Sequence, residues 1–259
     1  MLNIDMIKAL NGEDAPKIFY YTETDSTNTR AKEYAKANPE NKMPAVFIAD
    51  SQSAGRGRLG RTFHSEAEVG IYISFLLYPK KRGADIMKFT PFCAVKLSEC
   101  VEELAGLAPS IKWVNDLYAN GKKLAGILVE GEMNSEGEID YLVCGMGINV
   151  YKTAFPSEIS DIAISLEEAS GKKVLREDII SLLIEKMICN SDDFDSEKIF
   201  LDYQKRLSTV GKTVNVIKPN KTYPATVKAL NPDYSLTLTL PDGREEILFT
   251  GEVSIRKTN

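Results

Sequence analysis

The spacing of apolar and polar residues in the first part of the chain predicts strands separated by helices. Short apolar runs at Ile18–Tyr21 and Val46–Ala49, and a longer one at Val69–Tyr78, are typical of strands. Between the first two, residues 25–38 combine a polar start that can cap a helix with apolar positions at helical spacing. Residues 86–107 repeat apolar positions with the same period, which predicts a second and longer helix.

The middle of the chain predicts a hairpin, a long strand and further helices. The pair Asn120-Gly121 joins two apolar runs, Ile111–Tyr118 and Leu124–Glu130, and Asn-Gly is the strongest short signal for a β-hairpin. Ile139–Val150 follows as another strand, which its two glycines are expected to break. Two or three helices are predicted after it, at about residues 160–169, 177–190 and 196–207.

The pattern changes after Gly211, where five short apolar runs follow one another at even spacing. They are Val214–Ile217, Ala225–Leu230, Leu236–Leu240, Ile247–Phe249 and Val253–Arg256. Such a series predicts a small β-barrel. We therefore expect an α+β fold in two parts. Residues 1–208 would form a mixed, mostly antiparallel sheet with a helix on one face, and residues 209–259 would form the barrel.

Composition and charge narrow the class of protein. The chain has 259 residues, 43% of them apolar, and a formal charge of −5. An acidic chain is a poor general binder of nucleic acid, because contacts to phosphate supply most of that affinity. The longest apolar run, residues 71–78, is too short to span a bilayer. No signal-peptide pattern precedes it, and the four cysteines lack metal spacing, so we expect a reduced cytoplasmic protein without a catalytic cysteine.

The segment GRGRLGR, residues 55–61, places three arginines and three glycines within seven residues. Glycines let backbone N–H groups approach a ligand, and the arginine guanidinium matches carboxylate and phosphate, so the segment predicts an anion site. It lacks the GK[ST] ending of a Walker A loop, and a strand rather than a helix follows it, which excludes the dinucleotide-binding interpretation. An exposed Arg-Gly loop that touches RNA is the alternative that composition leaves open.

Two further segments, KWVND at 112–116 and KKLAGILVE at 122–130, bring polar groups to the predicted hairpin. Lys112, Asn115 and Asp116 either decorate the surface or line a site, and Asp116 could help hold a phosphate-bound metal ion. Lys123 lies at the rim of an apolar strand. It either extends to water or points its charge at a reacting carboxylate or phosphate.

Polar residues at a helix start and at a strand end complete the set. The segment DSTN at 25–28 is an N-cap, a site for the polar head of a small molecule, or both. Asn149 ends the apolar strand as part of GMGIN, where it either lines the same site or caps a turn. The single histidine, His64, cannot make a zinc site by itself, and the single tryptophan, Trp113, is expected in the core.

Taken in order, these motifs resemble one family. DSTN, Gln52 before AGRGRLGR, KWVND, KLAGILVE, GMGIN and a terminal β-domain together resemble biotin protein ligase, from about residue 18 to about residue 256. Each motif alone is weak, whereas the ordered set is specific. The resemblance implies the class II synthetase-like biotin/lipoate ligase fold with a C-terminal SH3-like barrel.

The resemblance also implies a reaction in two steps. Biotin carboxylate attacks the α-phosphate of ATP, with Mg²⁺ present, to give biotinyl-5′-AMP and pyrophosphate. The amine of a carrier-domain lysine then attacks this mixed anhydride and releases AMP. The implied partner is a biotin carboxyl carrier protein, by default the acetyl-CoA carboxylase subunit.

By match to the family's motifs, each site residue is given an expected role. The catalytic residues would be Lys123, Arg58 and Arg56. The biotin-binding residues would be Ser26, Thr27, Asn28, Gln52, Gly55, Arg56, Gly57, Arg58, Lys123 and Gly126. The ATP-binding residues would be Arg58, Arg61, Phe63, Lys112, Asn115, Asp116 and Asn149. Asp116 would also lie near Mg²⁺.

The sequence departs from the family at two motif positions and at its start. Phe63 stands where the family usually has tryptophan, and Val114 stands where it usually has proline. About seventeen residues precede the first predicted strand, which leaves no room for a helix-turn-helix domain, so we expect no DNA binding. A homodimer through an exposed sheet edge stays open. The rival hypotheses are a lipoate or octanoate ligase and a non-catalytic RNA-binding module.

Overall fold

Two β-sheets organise the chain in the computed structural model, which describes residues 1–12, 15–80, 83–189, 191–218 and 221–255. The first sheet has seven strands in the order β1-β2-β3-β7-β6-β5-β4. Its strands are β1 (Lys17–Thr24), β2 (Ala45–Gln52), β3 (Gly70–Leu77), β4 (Ser110–Lys112), β5 (Asp116–Ala119), β6 (Lys122–Met133) and β7 (Ile139–Asn149). Strands β1 and β2 are parallel. The other strand pairs of this sheet are antiparallel, so the predicted α+β class is confirmed.

Helices cover both faces of the first sheet, whereas the sequence predicted a helix on one face. The helices are α1 (Ile4–Asn11), α2 (Thr27–Ala37), α3 (Ile86–Ala105), α4 (Leu166–Ser170), α5 (Arg176–Ile188) and α6 (Glu197–Arg206). Side chains alternate across a strand, so Phe47 of β2 packs in the α2 cluster while Ile48 packs in the main core with α3 and α5. Both side chains are at most 1% exposed.

The predicted strand 111–118 is wrong, because the KWVND segment forms a turn. Lys112 ends β4 and pairs with Asp116, which begins β5. Trp113 stands between them, 3% exposed, and its indole Nε1 donates to the carbonyl of Tyr234 at 2.8 Å. The turn therefore packs beneath the second sheet, a long-range contact that local pattern does not reveal. The hairpin predicted at Asn120-Gly121 is confirmed.

Two other local predictions are also wrong. Only α4 is helical within 160–169, because Ser165 caps its start by accepting a hydrogen bond from the N–H of Glu168. The preceding residues instead pair with Lys123, whose N–H donates to the carbonyl of Ile162 at 2.7 Å. The glycines of GMGIN do not break the strand, since β7 runs unbroken through them.

The second sheet contains five antiparallel strands in the order β11-β10-β9-β8-β12. They are β8 (Thr213–Lys218), β9 (Lys221–Leu230), β10 (Leu236–Thr239), β11 (Glu245–Leu248) and β12 (Glu252–Ile255). The five short strands expected after Gly211 are thereby confirmed. Besides Trp113, Tyr203 of α6 links the two sheets, because its hydroxyl donates to the carbonyl of Val114 at 3.1 Å and its ring contacts Tyr234.

Three of the four cysteines are buried and contribute to packing. Cys93, Cys100 and Cys144 are buried, Cys189 is exposed, and all four are free thiols. Burial raises the pKa of the Cys93 and Cys100 thiols, which keeps them protonated and unreactive. None of the helices in the described ranges has the length and apolar character needed to cross a bilayer.

Candidate active site

A small cavity at one end of the first sheet gathers most of the predicted polar motifs. Its volume is about 50 Å³. It lies where β2 ends, β6 begins, β7 passes its glycines and α2 starts. Its lining residues are Ser26, Thr27, Asn28, Gln52, Arg56, Gly57, Arg58, Phe63, Asn115, Lys123, Gly126, Ile127, Leu128, Gly145, Met146 and Gly147. Four segments that are distant in sequence thus meet at one place.

The polar side chains at the start of α2 face the cavity instead of capping the helix. Ser26 occupies the N-cap position, but its side chain makes no capping hydrogen bond. Asp25 instead makes a hydrogen bond at the start of the helix, since its Oδ1 accepts the N–H of Ser26 at 2.6 Å. Thr27 donates both its N–H and its hydroxyl to Oε1 of Gln52, at 2.9 and 3.2 Å. Helix start and strand end are thereby joined at the cavity wall.

Asn28 is held from three sides. Its Nδ2 donates to Oε2 of Glu130 at 2.9 Å, and its Oδ1 accepts the hydroxyl of Ser74 at 2.6 Å. Gly145 of β7 lies directly behind it, where an added Cβ would stand 2.0 Å from the Asn28 Oδ1. Glycine at 145 is therefore what lets the fixed amide reach the sheet.

The Gly-Arg segment folds back on itself as a small loop over the cavity. The N–H of Phe63 donates to the carbonyl of Gly55 at 2.9 Å, and the N–H of Gly57 donates to the carbonyl of Arg61 at 2.7 Å. Gly60 has a φ of +75°, a conformation that favours glycine. An added Cβ on Gly55 would lie 2.5 Å from the Phe63 carbonyl oxygen, so Gly55 closes the base of the loop and does not line the cavity.

Two of the predicted catalytic cations are paired with carboxylates. Nζ of Lys123 lies 2.8 Å from Oδ1 of Asp116, and these side chains are 31% and 19% exposed. The guanidinium of Arg56 lies 3.3 Å from Oε1 of Glu130. Water screens the partly buried Lys123–Asp116 pair less than it screens pairs on the open surface, whereas in the second pair Arg56 is 48% exposed.

The third predicted cation, Arg58, spans the two sheets. One of its terminal nitrogens donates to Oδ1 of Asn115 at 3.0 Å, and the other donates to the carbonyl of Gly251 at 3.0 Å. Asn115 is in turn anchored to β6, because its Nδ2 donates to the carbonyl of Ile127 at 2.9 Å. The loop, the KWVND turn and the residue before β12 therefore meet at one guanidinium.

The ring of Phe63 fills the cavity between glycines. An added Cβ on Gly147 would lie 2.5 Å from the ring, and one on Gly126 would lie 3.4 Å from it. Nζ of Lys123 is 6.0 Å from the ring centroid. Pockets for drug-sized ligands measure roughly 300–1,000 Å³, so a ligand of that size requires the cavity wall to move, and the Phe63 ring is part of that wall.

Five residues predicted for the site do not line the cavity: Gly55, Arg61, Lys112, Asp116 and Asn149. Arg61 is exposed. Lys112 lies against the Tyr118 ring, 5.5 Å from its centroid. Nδ2 of Asn149 donates to the carbonyls of Lys123 and Ile164, at 3.4 and 3.3 Å. Asp116 reaches the site through its pair with Lys123.

Sequence reasoning missed several residues of the site. Gly145 and Gly147 are two apart on one strand and so share a face, a signal that the period of a strand provides. Ser74 is fully buried within the apolar strand β3, and a single serine in such a run is a further signal. Glu130 ends KLAGILVE, yet nothing local shows that it reaches α2 and the loop.

The fold and the cavity together indicate which kind of ligand the site can bind. A mixed sheet brings a helix start, a Gly-Arg loop and a lysine to one cavity whose wall combines hydrogen-bonding side chains with positive charge. This arrangement suits a small molecule with a neutral polar end and an anionic end.

The chain belongs to the biotin/lipoate A/B protein ligase family, whose sequence model matches residues 20–149. It is 37% identical over 170 residues to the bifunctional ligase/repressor BirA of Bacillus subtilis, covering 64% of this chain and 51% of that protein. It is 30% identical over 180 residues to the biotin–[acetyl-CoA-carboxylase] ligase of Mycobacterium tuberculosis, covering 67% and 65%. The chain thus spans about half the length of the BirA relative it matches.

Solved structures of biotin protein ligases share this fold. The biotin protein ligase from Aquifex aeolicus in complex with biotin and ATP aligns with a TM-score of 0.75 and 26% identity. The alignment covers 93% of this chain and 99% of that one, so both sheets are included.

Proposed function

We propose that this protein activates biotin with ATP and transfers it to a lysine of a carrier protein. In the first step a biotin carboxylate oxygen attacks the α-phosphorus of ATP, and pyrophosphate leaves. In the second step the lysine amine attacks the carbonyl carbon of biotinyl-5′-AMP, loses a proton and expels AMP. The observation that carries the proposal is that one cavity joins a neutral polar wall to Lys123, Arg56 and Arg58.

The neutral end of the cavity supports biotin as the acid. The ureido ring of biotin presents N–H donors and a carbonyl acceptor and bears no charge. Ser26, Thr27, Asn28 and Gln52 supply both donors and acceptors at one wall of the cavity. A site built of hydrogen-bonding groups rejects an acid that lacks the matching groups, because its own polar atoms would be left unpaired. This argues for biotin over lipoate or octanoate.

The charged end supports adenylation. The reaction brings a carboxylate and a triphosphate together, and their repulsion has to be offset by nearby cations. In our proposal Lys123 contacts the carboxylate and the α-phosphate, where charge develops in the transition state. Lys123 already has an internal acceptor in Asp116. When substrate binds, Lys123 would therefore exchange this partner for the ligand rather than bury a new charge.

The loop and Phe63 would serve the nucleotide side. In our proposal the Phe63 ring leaves the glycines of β6 and β7 when ligand enters and stacks on the adenine, with less area than tryptophan would offer. Arg58, Arg61, Lys112, Asn115 and Asn149 would complete the nucleotide contacts. A loop ordered over the adenylate would exclude water from a hydrolysable anhydride.

In our proposal magnesium enters this site together with ATP. Within the described ranges, no cluster of three His, Cys, Asp or Glu side chains could hold a metal ion. Mg²⁺ is commonly bound by one or two carboxylates plus substrate phosphates, and Asp116 is the carboxylate beside Lys123. Bound in this way, it would neutralise triphosphate charge.

The acceptor in our proposal is a biotin carboxyl carrier protein, such as the subunit of acetyl-CoA carboxylase named for the Mycobacterium tuberculosis relative. We also propose a division of the chain into a ligase domain, residues 1–208, and a C-terminal domain, residues 209–259. Homodimer formation and a cytoplasmic location stay predictions.

The test is pyrophosphate–ATP exchange by the purified protein with Mg²⁺, comparing biotin, lipoate and octanoate. We expect exchange with biotin alone. Exchange with lipoate or octanoate would keep the mechanism and change the substrate. A folded protein that exchanges with none of the three acids would contradict the proposal and favour a non-catalytic binding module.

A further inference from the structure

The carboxylate of Glu130 lies behind the cavity wall and joins three elements. Its Oε1 accepts Nζ of Lys32 at 2.7 Å and lies 3.3 Å from the Arg56 guanidinium, while its Oε2 accepts Nδ2 of Asn28 at 2.9 Å. The side chain is 21% exposed and does not line the cavity itself. One anion thus connects β6 with α2 and with the Gly-Arg loop.

The carboxylate is ionised at neutral pH. Burial by itself would raise its pKa, but the hydrogen bonds from Lys32 and Asn28 and the charges of Lys32 and Arg56 hold the pKa of Glu130 below its ordinary value. It therefore offers a full negative charge to the loop arginine.

A chain of hydrogen bonds carries the effect of Glu130 around the cavity. Asn28 accepts the hydroxyl of Ser74, which also lies 2.7 Å from Oγ1 of Thr27, and Thr27 donates to Gln52. Nε2 of Gln52 then donates to Oγ of Ser65 at 3.0 Å, and that hydroxyl lies 3.0 Å from the Phe63 carbonyl. The network begins at Arg56 and ends at Phe63, so it holds both sides of the loop.

The same strand provides a contrast two residues further on. Glu132 lies on the same face of β6 as Glu130 and pairs with Lys36, one turn after Lys32 on α2. Its other partner is the hydroxyl of Tyr141 at 2.7 Å. Glu132 thus resembles Glu130 in chemistry and in its link to α2, but its contacts lie away from the loop.

We propose that Glu130 is a positioning residue that holds the Gly-Arg loop over the ligand through Arg56 and fixes the orientation of Asn28. This inference rests on the proposed function, since its ligand is biotinyl-AMP. It assigns the side chain of Arg56 to loop closure, in partnership with Glu130, and leaves charge stabilisation at the reacting atoms to Lys123.

The experiment is a double-mutant cycle with the variants Glu130→Gln, Arg56→Gln and their combination, and with Glu132→Gln as the matched control. Two quantities are measured for each: the rate of biotinyl-AMP dissociation and the rate of adenylate formation at saturating biotin and ATP. Melting temperatures establish that each variant is folded. The wild-type protein is assayed first, because failure to form adenylate there would refute the proposed function itself.

We expect Glu130→Gln and Arg56→Gln each to speed dissociation about three- to tenfold, the range for a partly exposed charge-assisted contact. The double variant should dissociate no faster than the more affected single variant, because both remove one tether. Adenylate formation should change less than twofold in Glu130→Gln. In Arg56→Gln the rate of dissociation should change more than the rate of adenylate formation, and Glu132→Gln should match wild type in both rates. Multiplying effects in the double variant, or equal effects of Glu130→Gln and Glu132→Gln, would overturn the inference.

Should Glu130→Gln prove too unstable to assay, Arg56→Gln decides by itself, because Arg56 is on an exposed loop. The proposal requires that Arg56→Gln speeds the dissociation of biotinyl-AMP. A loss confined to adenylate formation would show that Arg56 acts on the reacting atoms and would overturn the role assigned to Glu130.

Discussion

The two segments that bring positive charge to the cavity are held in different ways. Lys123 is fixed through its backbone, since its N–H donates to the carbonyl of Ile162 and its carbonyl accepts the N–H of Ile164 at 3.0 Å. The loop arginines are held through side chains, Arg56 by Glu130 and Arg58 by Asn115 and the Gly251 carbonyl. Backbone contacts keep residue 123 in place throughout a reaction, so only its Nζ has to exchange Asp116 for a ligand. The side-chain contacts of the loop arginines tether the loop to its neighbours. The difference suggests that Lys123 serves the chemical step and the loop serves retention.

Removing the fixed charge should have the largest effect. Lys123→Ala is expected to lower the rate of adenylate formation about 100- to 1,000-fold, as the loss of one positioned donor does in other active sites. The fold should remain, because the backbone contacts of residue 123 need no side chain. Pyrophosphate exchange measures the rate. Lys122→Ala is the matched control, since Lys122 points away to the Ser160 carbonyl and should behave as wild type. Full activity of Lys123→Ala would remove the distinction between the two segments.

The glycines of β7 test the same difference between fixed and movable parts of the cavity, because Gly145 lies against Asn28 and Gly147 lies against Phe63. In Gly145→Ala the new Cβ meets Asn28, which three contacts hold in place, so binding should weaken by about 1–3 kcal/mol, or roughly 5- to 150-fold in Kd for biotin. In Gly147→Ala the Cβ meets the Phe63 ring, which belongs to the loop and can move. Its effect on biotin affinity should be smaller. Calorimetric titration of both variants measures this, and a reversed order would contradict the fixed placement of Asn28.

Loosening the loop should affect retention more than chemistry. Arg58→Gly removes the contacts to Asn115 and Gly251, and biotinyl-AMP should escape about tenfold faster. Escaped adenylate labels lysines of bystander proteins, so biotin blotting of a protein mixture measures the change. Unchanged labelling selectivity would show that the loop does not retain the intermediate.

The smallest expected effect is the contribution of Glu130 to the pH dependence of the unfolding free energy. Its folded pKa is lowered, so its contribution is present above the unfolded pKa of about 4.3 and is lost as pH falls through the folded value. The difference in unfolding free energy between wild type and Glu130→Gln should be about 1 kcal/mol at pH 7. It should shrink below about pH 4. Urea titrations at both pH values measure it, and a difference that grows on acidification would have the wrong sign.

Most of the site could be predicted because its residue types stand in short segments with evident chemistry. Gln52, Asn115, Lys123 and the start of α2 all line the cavity as expected from their motifs. The fold class followed equally from local periods, because strand and helix spacing are properties of single segments.

The missed features depend on contacts between distant segments. KWVND forms a turn because Trp113 buries itself beneath Tyr234, more than a hundred residues away. The helix predicted at 160–169 does not form before Leu166, because residues before Ser165 pair with Lys123 instead. Glu130 is a surface-type residue whose position is set by α2 and the loop together. In each case tertiary packing overrides a local preference.

The burial of Trp113 also has a spectroscopic consequence. It is the chain's one tryptophan, it is 3% exposed, and its indole donates to the second sheet. Intrinsic fluorescence therefore reports a single location, the junction between the KWVND turn and the second sheet. Separation of the two sheets would wet the indole and shift its emission to the red, so the protein carries an internal optical probe of how its two halves dock.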